Sequence, residues 1–165
     1  MPYWQLFYHF VTATKGRRPS ITEEIEPELY QFIFAKAQDL ESRIYAVNGT
    51  FDHIHIVASI PPKIAVSTFI GQVKGFSSGQ INKRHPHILP FAWQEDYGVF
   101  SFDRKRLEPI QEYVRGQKDH HRLGRLITIL ELCEDERFRI AEQPAIYDAG
   151  QSTPGNTDQL DELPW

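Results

Sequence analysis

Apolar positions along the chain recur in two rhythms. From Tyr3 to Thr14 aromatic and β-branched residues crowd together, which predicts a strand ending at the basic turn Lys15-Gly16-Arg17-Arg18-Pro19. Ile25, Leu29, Phe32, Ile33, Ala37 and Leu40 then recur at helical spacing, with Ser20 and Glu23 placed as a capping box. Arg43–Thr50 and Asp52–Ile60 predict two strands, with a tight turn at Asn48-Gly49. Pro61-Pro62 stops the second of them, and Val66, Phe69, Ile70, Val73 and Phe76 form the stripe of another helix that begins near Ser67. Beyond the Pro86–Pro90 break, Phe91–Trp93 and Val99–Phe102 read as short strand pieces. Asp103 caps a helix running to about Asp119, whose buried face is Leu107, Ile110 and Val114.

The order strand, helix, strand, strand, helix, strand is the split βαβ plan. It predicts an α+β, ferredoxin-like fold: an antiparallel sheet with helices on one face and one further helix appended at the C-terminal side. Residues 1–122 carry this plan. Residues 123–165 are expected to hold a short helix at Ile127–Leu132 and, from Gln143, a polar acidic tail that is loose or disordered.

Charge sharpens this division. The whole chain of 165 residues carries a net −4, which taken alone argues against a polyanionic partner. Residues 1–122, however, hold 15 Lys/Arg against 13 Asp/Glu, and residues 123–165 hold 3 against 9. The acidity therefore belongs to the tail. From His53 to Gln94 there are four Lys/Arg and no acid, a segment that phosphates can use. One cysteine, Cys133, rules out an internal disulfide framework and any Cys-x-x-Cys metal site, and suits a reducing compartment. No apolar run approaches a membrane span. No GxxxxGK[ST] loop is present, so no nucleotide cofactor is expected.

Candidate chemistry begins at Asp52-His53-Ile54-His55, where two imidazoles at i and i+2 share one face of a strand. That is metal-ligand spacing, although surface histidines on a strand are the commoner explanation of such a triplet. Tyr113 and Gln117 stand four residues apart and share a helical face distinct from that of Leu107, Ile110 and Val114, so both are expected to project into a cleft. Gly116 between them costs a helix about 1 kcal/mol relative to Ala, and implies either close approach of something bulky or a soft helix.

Taken together these segments resemble the single-tyrosine HUH transposases of insertion sequences, the IS200-like family. Thr14-Lys15-Gly16-Arg17-Arg18-Pro19 is similar to the family's turn after the first strand, and Asp52-His53-Ile54-His55 to its Asp-His-hydrophobic-His. Lys74-Gly75-Phe76-Ser77-Ser78 is similar to its Lys-Gly-x-Ser-Ser, and the pattern continues through Trp93-Gln94, Tyr97-Gly98 and Tyr113-x3-Gln117-x2-His120-His121. Phe51 stands where the family usually has proline.

The resemblance implies that His53 and His55 bind a divalent ion, Mg2+ or Mn2+, that Gln117 is a further ligand, and that Tyr113 is the nucleophile. The reaction it implies is cleavage and rejoining of single-stranded DNA through a 5′-phosphotyrosine intermediate. Lys15, Arg17, Lys74, Lys83 and Arg84 are the expected DNA contacts. Trp93 and Tyr97 could stack on bases, although core packing suits Trp93 better. The expected partners are single-stranded DNA with hairpin ends and a second copy of the chain in a homodimer with shared active sites, in the cytoplasm. The alternatives are a domesticated HUH endonuclease and a hairpin-DNA-binding protein that no longer transposes. No base for the phenolic proton can be named from the sequence.

Overall fold

The structure, a computed structural model, describes residues 3–88 and 90–131. Four strands, β1 (Phe7–Ala13), β2 (Arg43–Gly49), β3 (His53–Ser59) and β4 (Gly98–Phe102), form one sheet in the order β2-β3-β1-β4 with every pairing antiparallel. Helices α1 (Ile25–Asp39) and α2 (Val66–Arg84) connect them, giving the split βαβ arrangement. Two further helices, α3 (Leu107–Arg115) and α4 (Gln117–Leu123), follow β4.

The two sides of the sheet do different work because side chains alternate along each strand. Phe10, Ile54, Ile56 and Ala58 face α1 and α2 and join Leu29, Ile33, Phe69, Ile70 and Val73 in the main core. Burying such a side chain fully contributes about 1.5–3 kcal/mol. The opposite side carries Ala46 and Val57, which pack with Ile110, Tyr113 and Val114 of α3 and with Leu130. His9, His53 and His55 lie on this second side, roofed by the segment after β4.

Several local expectations change. Asn48-Gly49 does not form the turn: Gly49 still pairs with Ile54, and Thr50 N–H donates to the His53 carbonyl at 2.9 Å, leaving Phe51-Asp52 as the two-residue loop. Glycine is needed at 49 for another reason, since a Cβ there would lie 2.1 Å from the His53 carbonyl oxygen. The first helix is capped by Thr22, whose Oγ1 accepts from Ile25 N–H at 3.3 Å, and not by Ser20. Asp103 does cap, accepting from the Lys105 and Arg106 N–H groups at 2.9 and 3.2 Å, but the helix beyond it divides at Gly116 into α3 and α4. Phe91–Trp93 reduces to an isolated bridge between Thr14 and Trp93. The helix expected over Ile127–Leu132 is a 3-10 turn, Thr128–Glu131, that returns onto the second side of the sheet. The acidic tail lies outside the described residues.

Candidate active site

On β3, His53 and His55 project from the second side of the sheet and are 4% and 0% exposed. The β3 register fixes them, with Val11 opposite His55 and Ala13 opposite His53. His53 Nδ1 lies 2.7 Å from Asp52 Oδ1 and 2.9 Å from Thr50 Oγ1. Burial opposes the Asp52 carboxylate, yet the His53 hydrogen bond and charge outweigh it and hold the group below its ordinary value. An ionised Asp52 accepts the Nδ1–H and leaves the His53 Nε2 lone pair pointing into the site. That is the arrangement in which a carboxylate orients a ligating histidine. Arg17, whose φ of 53° follows Gly16 at 65°, comes back to within 3.7 Å of the Asp52 carboxylate. His55 is oriented from below by His9, with Nε2 of His9 2.9 Å from Nδ1 of His55.

The C-terminal helices close the site. His121 of α4 brings Nε2 to 3.0 Å from His53 Nε2. Glu131 enters from the returning 3-10 turn, and its Oε2 lies 3.5, 3.2 and 3.3 Å from Nε2 of His53, His55 and His121. Its other oxygen accepts from the Tyr113 hydroxyl at 2.5 Å and from Gln117 Nε2 at 3.1 Å. The backbone N–H of Ile127 donates to the Tyr113 oxygen at 3.0 Å, and the ring of His120 stacks on Tyr113 with centroids 4.8 Å apart. The tyrosine is thus held from three directions. It and Gln117 are buried, at 7% and 0% exposure, and not cleft-facing as their spacing implied, because the 125–131 segment covers them.

Gly116 proves to serve close approach. A Cβ there would lie 2.9 Å from His120 Nε2, so a side chain at 116 would push the ring that stacks on Tyr113.

The donor atoms suit a single divalent ion. His53, His55, His121 and Glu131 each offer one ligand atom, all within 4.8 Å of one another. Ligands on one ion at bond lengths near 2.1 Å stand about 3.0–3.4 Å apart, close to the 3.2–3.5 Å between the Glu131 oxygen and the three imidazoles. Among the enclosed atoms that lack hydrogen-bond partners are His55 Nε2 and Gln117 Oε1, beside the cluster, and His9 Nδ1 beneath it. The 3.2 Å contact of His55 with Glu131 is a charge contact without hydrogen-bond alignment. Three imidazole nitrogens and a carboxylate oxygen form a mixed donor set with no thiolate.

Protonation follows from this packing. Burial pushes the Tyr113 phenol up, and the neighbouring Glu131 carboxylate pushes it further. Burial also acts on Glu131, but its close polar contacts with His53 and His55 prevail and hold it well below the usual carboxylate range. Burial lowers His55, and burial together with the His55 charge lowers His9 well below the ordinary imidazole value.

Of the residues expected from sequence, the structure brings His53, His55, Tyr113 and Gln117 together, with Arg17 at the edge of the group. Lys15 is exposed in the turn after β1. Lys74, Lys83 and Arg84 lie on α2, across the sheet from the histidines. Lys74 donates to the carbonyls of Glu95 and Asp96, and Arg84 pairs with Glu28 at 3.5 Å and lies over the Phe32 ring. Trp93 donates its indole N–H to the buried Ser77 hydroxyl at 3.1 Å, a packing role. The sequence reading gave no role to His9, Asp52, His121 or Glu131. Asp52 was visible as the acid directly before His53, and Glu131 as a lone acid inside the apolar run Ile127–Leu132.

Among the described residues no helix is long and apolar enough to cross a membrane. The Transposase IS200 like family matches residues 2–117. The transposase for insertion sequence element IS200 of Salmonella typhimurium is 30% identical over 132 residues, spanning 76% of this chain and 86% of that protein. The ISDra2 transposase TnpA of Deinococcus radiodurans is 22% identical over 121 residues, spanning 70% of this chain and 86% of that one. The solved structure of a REP-associated tyrosine transposase bound to a REP hairpin superposes with a TM-score of 0.55 at 16% identity, over 73% of this chain and 74% of the other. The sheet order, the paired histidines of β3 and the match over residues 2–117 lead to one assignment: the chain belongs to the IS200-like transposase family.

Proposed function

We propose that this transposase cleaves and rejoins single-stranded DNA with hairpin ends, using Tyr113 as nucleophile and a divalent ion, Mg2+ or Mn2+, at the histidine cluster. The observation that carries the reading is the position of one carboxylate. Glu131 accepts a hydrogen bond from the Tyr113 hydroxyl through one oxygen and touches His53, His55 and His121 through the other. Nucleophile and candidate metal ligands therefore meet at a single group.

The phenol is raised above its ordinary value, so its attack requires a proton acceptor. Glu131 Oε1 already accepts the phenolic hydrogen bond and stands where a proton acceptor is needed. The Tyr113 oxygen then bonds to phosphorus, the phosphorus–O3′ bond breaks, and the departing oxygen gains a proton to become a 3′-hydroxyl. A second 3′-hydroxyl reverses the exchange. One phosphoester replaces another, so no nucleotide hydrolysis is needed. A divalent ion held by His53 and His55, with His121, Glu131 and Gln117 beside them, would neutralise charge on the scissile phosphate and align it. Asp52 and His9 keep the two imidazoles of β3 in orientation. Arg17 and Lys15, on the turn after β1, are the cations best placed for the adjoining backbone phosphates; Lys74, Lys83 and Arg84 would serve DNA passing over α2.

Whether His53 and His55 meet Tyr113 and Gln117 of the same chain or of a second copy, as in a homodimer with shared active sites, is decided by mixing variants. In the shared arrangement the helices that bear Tyr113 and Gln117 are exchanged between the two copies. The test is incubation with single-stranded oligonucleotides bearing hairpin ends, with Mg2+, Mn2+ or chelator, followed by detection of a covalent protein–DNA adduct. Loss of the adduct in Tyr113→Phe and in His53→Ala, with DNA binding retained, is expected. An adduct that survives Tyr113→Phe overturns the nucleophile. Mixing the two variants separates the arrangements: restored cleavage means shared sites, and continued silence means sites built within one chain.

A further inference from the structure

The loop that carries Asp52 into the metal cluster also presents Phe51, and this aromatic ring is 66% exposed. Its backbone is not free to turn the ring inward. The Phe51 carbonyl accepts from Ile21 N–H at 2.9 Å, and the Asp52 carbonyl accepts from Thr14 N–H at 2.7 Å. The ring therefore stands at the wall of a recess of about 690 Å³, which also has Pro19 and Ile21 as apolar lining. That volume is within the range of sites that take small planar ligands, roughly 300–1,000 Å³. Asp52 and His121 line the same recess, so it opens directly beside the histidine cluster. Arg17, Lys118 and Arg122 stand around it, each beside an acid: Arg17 3.7 Å from Asp52, Lys118 on Glu26, and Arg122 2.9 Å from Asp119.

An exposed aromatic ring on the wall of an apolar recess is a surface on which an unpaired base stacks. Two acids, Glu23 and Glu26, complete the lining; Glu26 is engaged with Lys118, and Glu23 offers acceptors to an exocyclic amino group. We infer that the recess beside Asp52 and His121 receives one unpaired nucleobase of single-stranded DNA, next to the phosphate at the histidine cluster, with Phe51 as its stacking platform. This rests on the single-stranded DNA substrate proposed above. It adds a base-binding position built by Phe51, a residue that takes no part in the histidine cluster.

The experiment uses the full chain and probes that need no cleavage: 20-mers of dT, dC and dA, and a 20-unit abasic phosphodiester strand of equal charge. Phe51→Ala is expected to bind the base-bearing strands at least roughly 5-fold more weakly while its affinity for the abasic strand stays unchanged. Phe51→Trp is expected to restore binding, and its added emission is expected to be quenched by base-bearing strands and not by the abasic one. Equal affinity of Phe51→Ala and the parent for every strand, an equal loss on the abasic strand, or unquenched Phe51→Trp emission would overturn the inference. The two proposals fail separately. Adduct formation that is indifferent to Phe51 removes the recess and leaves the tyrosine chemistry, whereas base-dependent quenching without any adduct removes the chemistry and leaves the recess.

Discussion

The hydroxyl of Tyr113 donates to Glu131 Oε1 across 18 residues of chain, and the same carboxylate faces three imidazoles with its second oxygen. Glu131→Gln preserves the shape of this link and removes its charge. Adduct formation in single turnover is expected to slow by about 10²–10⁴, the usual contribution of a positioned proton acceptor, with DNA affinity retained. An unchanged rate would remove Glu131 from the proton path.

Metal binding is expected to stabilise the fold, because the four donor atoms converge only in the native state. At 100 times its dissociation constant an ion adds about 2.7 kcal/mol. Thermal melts with Mn2+ against chelator measure this directly. His55→Ala should abolish the difference, since it removes an enclosed nitrogen that has no other hydrogen-bond partner.

Gly116→Ala separates positioning from stability. The added methyl meets the far end of the His120 ring at 2.9 Å, and that ring stacks on Tyr113. A movable side chain yields cheaply and alanine favours the helix, so thermal stability is expected to stay within about 1 kcal/mol. The tyrosine shifts with its neighbour, and the adduct rate is expected to fall about 10²-fold. A large loss of stability with normal activity per folded molecule would contradict this account.

Gly49→Ala is expected to act in the opposite way. Its Cβ would lie 2.1 Å from backbone oxygen, which cannot move aside without breaking the β2–β3 pairing. Urea denaturation should show a loss of roughly 2–4 kcal/mol.

Acid should destabilise the metal-free protein before ordinary carboxylates titrate. Burial lowers His9 and His55 below the 6.5 of a free imidazole, so the unfolded chain binds their protons first. Their contribution is complete above pH 6.5 and declines below it, by roughly 1.4 kcal/mol per pH unit for each proton. Glu131, also lowered, extends the loss at more acid pH. Urea midpoints in chelator at pH 8, 6.5 and 5.5 check the sign; a midpoint that rises toward pH 5.5 would contradict buried neutral imidazoles.

The elements were legible because their signals are local. Alternation placed Ile54 and Ile56 toward the core and His53 and His55 away from it, and helical spacing found Leu29, Ile33, Phe69 and Val73. Motif order supplied Tyr113 and Gln117. Local patterns misread what depends on a partner elsewhere: Asn48-Gly49 looked like a turn because nothing in the dipeptide records that β3 backbone passes beside it. The net charge also misled until it was divided, and the acid-free stretch from His53 to Gln94 spreads its cations over α2, away from the histidines.

By itself, then, the sequence determined the strand and helix order, the paired imidazoles of β3, the tyrosine and the family, since each depends on residue types at fixed short spacing. Only the tertiary structure decided that Glu131 joins Tyr113 to the histidines, that His9 and Asp52 orient them, that His121 completes the group, and that Phe51 stands beside it. Apart from Asp52 and Phe51, which adjoin His53, these are contacts between segments far apart in the chain, such as the 46 positions between His9 and His55. No periodicity encodes them; they arise when the sheet register and the return of residues 125–131 bring those side chains to one place.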